Sequence, residues 1–284
     1  MPEKIKNVGV LGAGTMGLGI AQICAMSGYK VQLFDVHDGA SQLALIQIKK
    51  NLKIGVEKGK VSADEMQKTL DNVCVAERLH DLNSDLIIEA VIENLEIKQK
   101  LFCELDLTLP KDTVFCTNTS SISVTKIAAG LQHRHRFVGM HFFNPAHIMK
   151  LVEVVSGEDT DPAVVDRAVD FVRYIGKTPV VAHDSPGFIV NRVARHFYVE
   201  SLKVLEDGVA SFEDIDKLIE ATGFNMGPFK LMDLIGVDTN FSVTSSMYNG
   251  FHQDSKFRPS RIQEQKVMAG HLGRKSGIGF YSYD

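Results

Sequence analysis

The sequence lacks an excess of positive charge, paired cysteines and long apolar runs, and each absence excludes something. Its 31 lysines and arginines face 35 aspartates and glutamates, for a formal net charge of −4. Sequence-independent nucleic-acid binding needs a basic patch that releases counterions, so that class is excluded and no nucleic-acid partner is expected. Any anionic ligand must be caught by local groups rather than by the overall field. The four cysteines, Cys24, Cys74, Cys103 and Cys116, form no C-x-x-C pair and have no histidines nearby at zinc spacing. They are expected to be reduced and mostly buried, and no metal site is expected. No charged segment leads into a signal-like apolar run, and nothing approaches the roughly 18–20 apolar residues of a membrane span, so a cytoplasmic chain with no membrane partner is the expectation. Repeats and low-complexity tracts are also missing. What remains is ordinary soluble composition, 44% hydrophobic and 23% charged, which excludes intrinsic disorder and coiled coil. The length of 284 residues suggests two domains, at roughly 100–200 residues each.

The first two-thirds of the chain alternates short β-rich runs with longer helical patterns. Strands are predicted over residues 5–11, 30–35, 85–91, 113–117, 137–141, 151–155 and 178–182, and helices over 15–27, 39–58, 94–107 and 162–175. Most strand runs are apolar at nearly every position, as strands covered on both faces are. Such alternation implies right-handed crossovers and an α/β, doubly wound, mainly parallel sheet. Residues 39–71 are longer than a crossover needs. Their lysines, Lys49, Lys50, Lys53, Lys58 and Lys60, fall mostly on a polar face, which predicts a protruding helical hairpin. Such a run is either a solvated face or a surface for a polyanion. Asp184-Ser185-Pro186-Gly187 is a strong turn signal, and beyond it only helical patterns occur, over 188–206, 212–221, 236–249 and 260–269. The domains are therefore placed at residues 1–185 and 186–284, the second all-helical.

The first strand runs into Gly12-Ala13-Gly14-Thr15-Met16-Gly17 and then a helix. Gly12 permits a tight turn, Gly14 lets a pyrophosphate approach the main chain, and Gly17 lets helix and strand pack closely. The helix N-terminus offers unpaired N–H groups to phosphates, which is how an acidic protein holds a dinucleotide. Asp35 ends the next strand, where a carboxylate accepts from ribose hydroxyls and repels a 2′-phosphate, so NAD is expected over NADP. Similar glycines serve flavoproteins and methyltransferases, and an aspartate can merely end a strand.

A second constellation is Gly139-Met140-His141-Phe142-Phe143-Asn144-Pro145-Ala146-His147-Ile148-Met149-Lys150-Leu151-Val152-Glu153. His141 ends an apolar strand, and ligands of doubly wound sheets bind beyond the carboxyl ends of the strands. Glu153 is an acid among Leu151, Val152, Val154 and Val155, and such an acid needs a partner that an imidazole N–H supplies. His147 follows the Asn-Pro turn and is read as a loop residue.

Together with Asp184-Ser185-Pro186-Gly187-Phe188-Ile189-Val190-Asn191-Arg192, Ile92-Glu93-Asn94, Asn118-Thr119-Ser120-Ser121, Gly227-Pro228-Phe229 and Leu272-Gly273-Arg274-Lys275-Ser276-Gly277-Ile278-Gly279-Phe280-Tyr281, these motifs resemble the L-3-hydroxyacyl-CoA dehydrogenases. The resemblance covers essentially the whole chain and is strongest to the short bacterial 3-hydroxybutyryl-CoA branch. It implies a Rossmann-type NAD-binding domain, a helical domain for substrate binding and dimerisation, an acyl-CoA substrate and a homodimer. It implies that His141 is the general base paired with Glu153, and that Ser120 and Asn191 orient the substrate oxygen. Glu93, Lys98 and Asn118 would line the ribose and nicotinamide side of the cofactor. Leu231, Met232, Leu234, Ile235 and Val237 would line the acyl end of the site or form helix core. Ser120 and Ser121 also fit a simpler role, capping a short helix that begins near Val124. Two rival readings stay open: a related dehydrogenase of a free hydroxy or sugar acid, and a non-catalytic NAD-binding structural or sensor protein.

Overall fold

The computed structural model describes residues 5–283. The chain divides into two compact units, Met1–Asp184 and Ser185–Asp284. Among the described residues the first unit contains, in order, β1 (Asn7–Leu11), α1 (Thr15–Met26), β2 (Lys30–Phe34), α2 (Ala40–Glu57), α3 (Ala63–Asp71), β3 (Val73–Val75), β4 (Leu86–Glu89), α4 (Leu95–Thr108), β5 (Val114–Thr117), α5 (Val124–Ala128), β6 (Phe137–Phe142), β7 (Leu151–Ser156), α6 (Pro162–Tyr174) and β8 (Thr178–His183). The strands form one sheet in the order β3-β2-β1-β4-β5-β6-β7-β8. Every pairing is parallel except β6 with β7.

Burial explains why these runs are strands. Each residue of β4, β5 and β6 is buried, the condition that makes interior parallel strands apolar throughout. The edge strand β8 is exposed at most positions. Val10, Ile88, Cys116, Met140 and Val154 of the sheet pack with Ile20 and Cys24 of α1 and Phe171 of α6 in one core. From β1 the chain winds to β2 and β3 on one side and places β4 on the other. That reversal is the switch point at which doubly wound sheets bind ligands.

The stretch predicted as a helical hairpin forms α2 and α3, and its five lysines are exposed. Helix α3 begins with a reciprocal cap between Ser62 and Glu65, which satisfies two otherwise unpaired N–H groups. Strand β3 was not predicted, because three residues are too few to show a pattern. It also corrects the expectation for the cysteines: Cys24 and Cys116 are buried, Cys103 is half-buried, and Cys74 is exposed on this edge strand.

The second unit contains α7 (Val190–Glu206), α8 (Phe212–Ala221), α9 (Pro228–Ile235), α10 (Val237–Gly250) and α11 (Arg261–Met268). Phe188 has a φ of 49°, so α7 starts two residues later than its apolar pattern suggests. Helix α9 was not predicted, although a proline in the first turn after Gly227 is a helix-start signal. Met232 and Val237 are fully buried with Tyr198, Leu202, Phe229 and Phe280, which makes them core residues. Leu234 and Ile235 are exposed.

Two buried carboxylates organise this unit. Asp216 accepts from the Phe229 and Lys230 amides at 2.9 and 3.0 Å and from the Tyr281 hydroxyl at 2.9 Å. Asp233 accepts from the Phe280 and Tyr281 amides, both at 2.9 Å, and from the Tyr283 hydroxyl at 3.0 Å. A Cβ on Gly227 would overlap the Asp216 carboxylate, and one on Gly279 the Asp233 carboxylate. The glycines of the Gly227-Pro228-Phe229 and Leu272–Tyr281 motifs thus make room for buried acids that clasp the tail. No helix among the described residues is long and apolar enough to cross a membrane.

Candidate functional site

The glycine-rich turn joins β1 to α1 at the switch point. Gly12 has a φ of +94°, and a Cβ there would lie 2.5 Å from the Ala90 carbonyl oxygen; only glycine satisfies both conditions. A Cβ on Gly17 would overlap the Gly12 carbonyl oxygen, whereas one on Gly14 would meet nothing within 4 Å. The first and third glycines are therefore needed by the fold, and Gly14 leaves open space over the main chain. Helix α1 carries no side-chain cap at its N-terminus, so its first-turn N–H groups remain available to an anion. This cradle fits a dinucleotide pyrophosphate.

Asp35, just beyond β2, accepts from the Ala13 amide at 2.7 Å through one oxygen and from the His37 amide at 2.9 Å through the other. It braces the glycine turn as well as standing where a ribose carboxylate is expected.

The carboxyl ends of β4 and β5 carry a second group of polar residues. Glu93 takes hydrogen bonds at one oxygen from the Thr119 hydroxyl at 2.6 Å, the Ser120 and Ser121 amides at 3.0 and 3.1 Å, and the Ser121 hydroxyl at 3.1 Å. Its other oxygen lies 3.3 Å from Lys98 Nζ. Burial opposes its charge, but Lys98, the Thr119 hydroxyl and the Ser120 amide outweigh burial and hold the carboxyl below the usual range. Ser123, not Ser120 or Ser121, caps α5, accepting from the Lys126 amide. Asn118 Oδ1 accepts from the Phe142 amide at 2.8 Å, tying the end of β5 to the end of β6.

The antiparallel pairing of β6 with β7 sets His141 directly opposite Glu153. Directly opposed residues project from the same face of a sheet, and His141 Nδ1 lies 2.7 Å from Glu153 Oε2. The histidine is 6% exposed and the glutamate 0%, so the bond is shielded from water. With Nδ1 donating to the carboxylate, the neutral ring carries its lone pair on Nε2, the arrangement of a general base with an orienting acid. The turn after β6 contains a cis Asn144–Pro145 peptide and seats Ala146 against Gly19 of α1, where a Cβ would be 3.1 Å from that of Ala146. His147 is half-buried in this turn, and burial together with the Lys177 charge lowers its pKa.

His141, Glu153, Ser120, Glu93, Lys98, Asn118, Asp35 and the three glycines all belong to the first unit; Glu153 lies within β7, Lys98 on α4 and Gly17 in the first turn of α1, and the others at or beyond strand ends. Asn191 is the second residue of α7 in the other unit.

Residues 7–185 match the model of the 3-hydroxyacyl-CoA dehydrogenase NAD binding domain, and residues 187–283 match that of the 3-hydroxyacyl-CoA dehydrogenase C-terminal domain. The chain belongs to the 3-hydroxyacyl-CoA dehydrogenase family. It is 46% identical over its whole length to a 3-hydroxyadipyl-CoA dehydrogenase of Escherichia coli, of which it spans 60%. It is 40% identical to a 3-hydroxybutyryl-CoA dehydrogenase of Bradyrhizobium diazoefficiens, with 100% of this chain and 97% of that protein covered. The crystal structure of an (S)-3-hydroxybutyryl-CoA dehydrogenase from Ralstonia eutropha matches with a TM-score of 0.95 at 38% identity, covering 99% of each chain. NAD is the cofactor of this dehydrogenase family, and the glycine cradle fits it.

One residue of this candidate site was not read from the sequence. Glu89, the last residue of β4, is 0% exposed. Its Oε1 accepts from the Val91 amide at 2.7 Å and from Lys98 Nζ at 2.5 Å, and its Oε2 from the Thr117 hydroxyl at 2.6 Å. Burial holds its carboxyl above the usual range, and these three donors offset that only in part. An acid closing an apolar run was its only signal, and the same signal marks an ordinary strand end.

Proposed function

We propose that the chain transfers hydride reversibly between NAD and C3 of an (S)-3-hydroxyacyl-CoA / 3-oxoacyl-CoA pair, with short chains, 3-hydroxybutyryl-CoA and acetoacetyl-CoA, preferred. The observation that carries this reading is the shielded His141–Glu153 pair at the end of β6, in the same unit as the glycine cradle. NAD, when bound, supplies the hydride acceptor. His141 takes the proton of the C3 hydroxyl at Nε2 and returns it in the reverse direction, an exchange suited to an imidazole near neutral pH. Glu153 fixes the tautomer and stabilises the imidazolium that forms. Ser120 and Asn191 orient the substrate oxygen, while Glu93, Lys98 and Asn118 hold the ribose and nicotinamide side of the cofactor. Positioned proton transfer contributes about 10²–10⁴-fold, and alignment of C3 supplies the rest. The second unit also dimerises in this reading.

The test follows NADH absorbance with acetoacetyl-CoA, longer 3-oxoacyl-CoAs and free acetoacetate, repeated with NADPH. Acetoacetyl-CoA with NADH should be the preferred pair. Equal activity on the free acid overturns the CoA assignment, and a strong NADPH preference overturns the reading of Asp35. A second reading, an acyl chain ending in a carboxylate, is favoured by the name of the 46% identical Escherichia coli relative. 3-Hydroxyadipyl-CoA, run in the oxidative direction beside 3-hydroxybutyryl-CoA, separates the two. Light scattering on the purified chain checks the dimer.

A further inference from the structure

Glu89, Lys98 and Glu93 form one line of charge running from the centre of the sheet to the Ser120 loop. The backbone fixes its origin, since Glu89 pairs with Leu11, the residue before Gly12, on one side and with Thr117, the residue before Asn118, on the other. Lys98 is 1% exposed and lies between two carboxylates, 2.5 Å from Glu89 and 3.3 Å from Glu93. Every hydrogen-bond partner of Glu89 is a donor, so the ionised carboxylate is the form that the geometry satisfies. One ammonium between two carboxylates leaves the cluster with a net charge of −1.

We propose that Glu89 is a positioning residue that anchors Lys98, and through it Glu93, and that the net negative charge of the cluster shifts the balance of affinities toward the oxidised and away from the reduced cofactor. NAD⁺ carries a positive nicotinamide ring and NADH a neutral one. A fixed negative charge in a partly desolvated crevice therefore stabilises the two unequally. The inference rests on the proposed role of Lys98 and Glu93 as cofactor contacts.

The experiment measures dissociation constants of NADH by fluorescence and of NAD⁺ by calorimetry, in the unmodified protein and in Glu89→Gln, Glu89→Asp and Lys98→Gln. Glu89→Gln brings the cluster to neutrality, so the preference should move toward NADH by about two- to tenfold, the order of effect of one unit charge in a partly solvated site. Lys98→Gln makes the cluster more negative and should move the preference toward NAD⁺. Glu89→Asp keeps the charge and should keep the ratio. General loosening of the site would weaken both forms by one factor and cannot produce shifts of opposite sign. Equal changes in the two constants, or shifts of the same sign in Glu89→Gln and Lys98→Gln, overturn the proposal. Should Glu89→Gln not fold, a Lys98→Gln ratio that is unchanged or moved toward NADH overturns it. Failure of the cofactor reading on which this rests would look different, since the unmodified protein would then bind neither form.

Discussion

His141 and Glu153 are cross-strand partners in the one antiparallel pairing of the described sheet, with ring nitrogen and carboxylate oxygen 2.7 Å apart. Turning back at β7 rather than crossing over brings an acid twelve residues away opposite the histidine. Glu153, fully buried between apolar neighbours, would be costly there without an imidazole to bond.

If the pair works as base and orienting acid, its members act as a unit. His141→Gln is expected to lower kcat by about 10²–10⁴-fold and Glu153→Gln by a comparable or smaller factor. The double variant should be little worse than His141→Gln alone, because residues acting as a unit are not additive. NADH affinity should stay within about threefold in all three. Near-normal turnover in His141→Gln, measured with acetoacetyl-CoA, removes His141 from the role of base.

The three glycines of the turn should fail in different ways. Gly14→Ala adds a methyl group that meets nothing, so thermal unfolding should be unchanged while NADH affinity falls at least about tenfold through loss of close main-chain approach. Gly17→Ala drives a methyl group into the Gly12 carbonyl oxygen and should cost about 1–3 kcal/mol or more of stability. Calorimetry and NADH titration on both variants read the two effects separately, and equal destabilisation would contradict this division.

What the sequence disclosed follows the same physical line. Gly12, Gly14, Gly17 and the apolar runs were legible because their spacing is local and their composition reflects burial on both faces of a parallel sheet. The pairing of His141 with Glu153 was expected from the buried acid's need of a partner and from the resemblance, but the strand register that fixes it was not legible, because a slip of one position would have sent them to opposite faces. Glu89 was missed because its meaning lies in Lys98 and Thr117, which arrive from α4 and β5. Asp216 and Asp233 were missed for the same reason: their tail partners lie 47 to 65 residues further along the chain.

The clasp formed by those two acids makes a separate prediction. Gly279→Ala should push the Asp233 carboxylate off the Phe280 and Tyr281 amides, leaving buried donors unpaired at a cost of about 1–3 kcal/mol each. Limited proteolysis should then cut within the tail motif under conditions that leave the unmodified chain intact. Resistance equal to that of the unmodified protein would show that Asp233 is not what holds the tail.

Asp106 of α4 and Arg136, just before β6, form a buried ion pair at 2.6 Å, each side chain 2% exposed. Burial opposes the Asp106 charge, but the Arg136 guanidinium and the Gln132 and His133 amides prevail and hold the carboxyl below its ordinary range. A carboxyl lowered in the folded state stabilises the fold fully above its unfolded value of about 4, and the contribution is lost as pH falls through the folded value. Urea unfolding between pH 7 and pH 3 should therefore show stability declining below about pH 4–5. Asp106→Asn should begin about 3–5 kcal/mol less stable, because it leaves a buried guanidinium without its anion, and should lose less on acidification. If the two profiles run parallel, the acid sensitivity arises elsewhere and Asp106 is not its source.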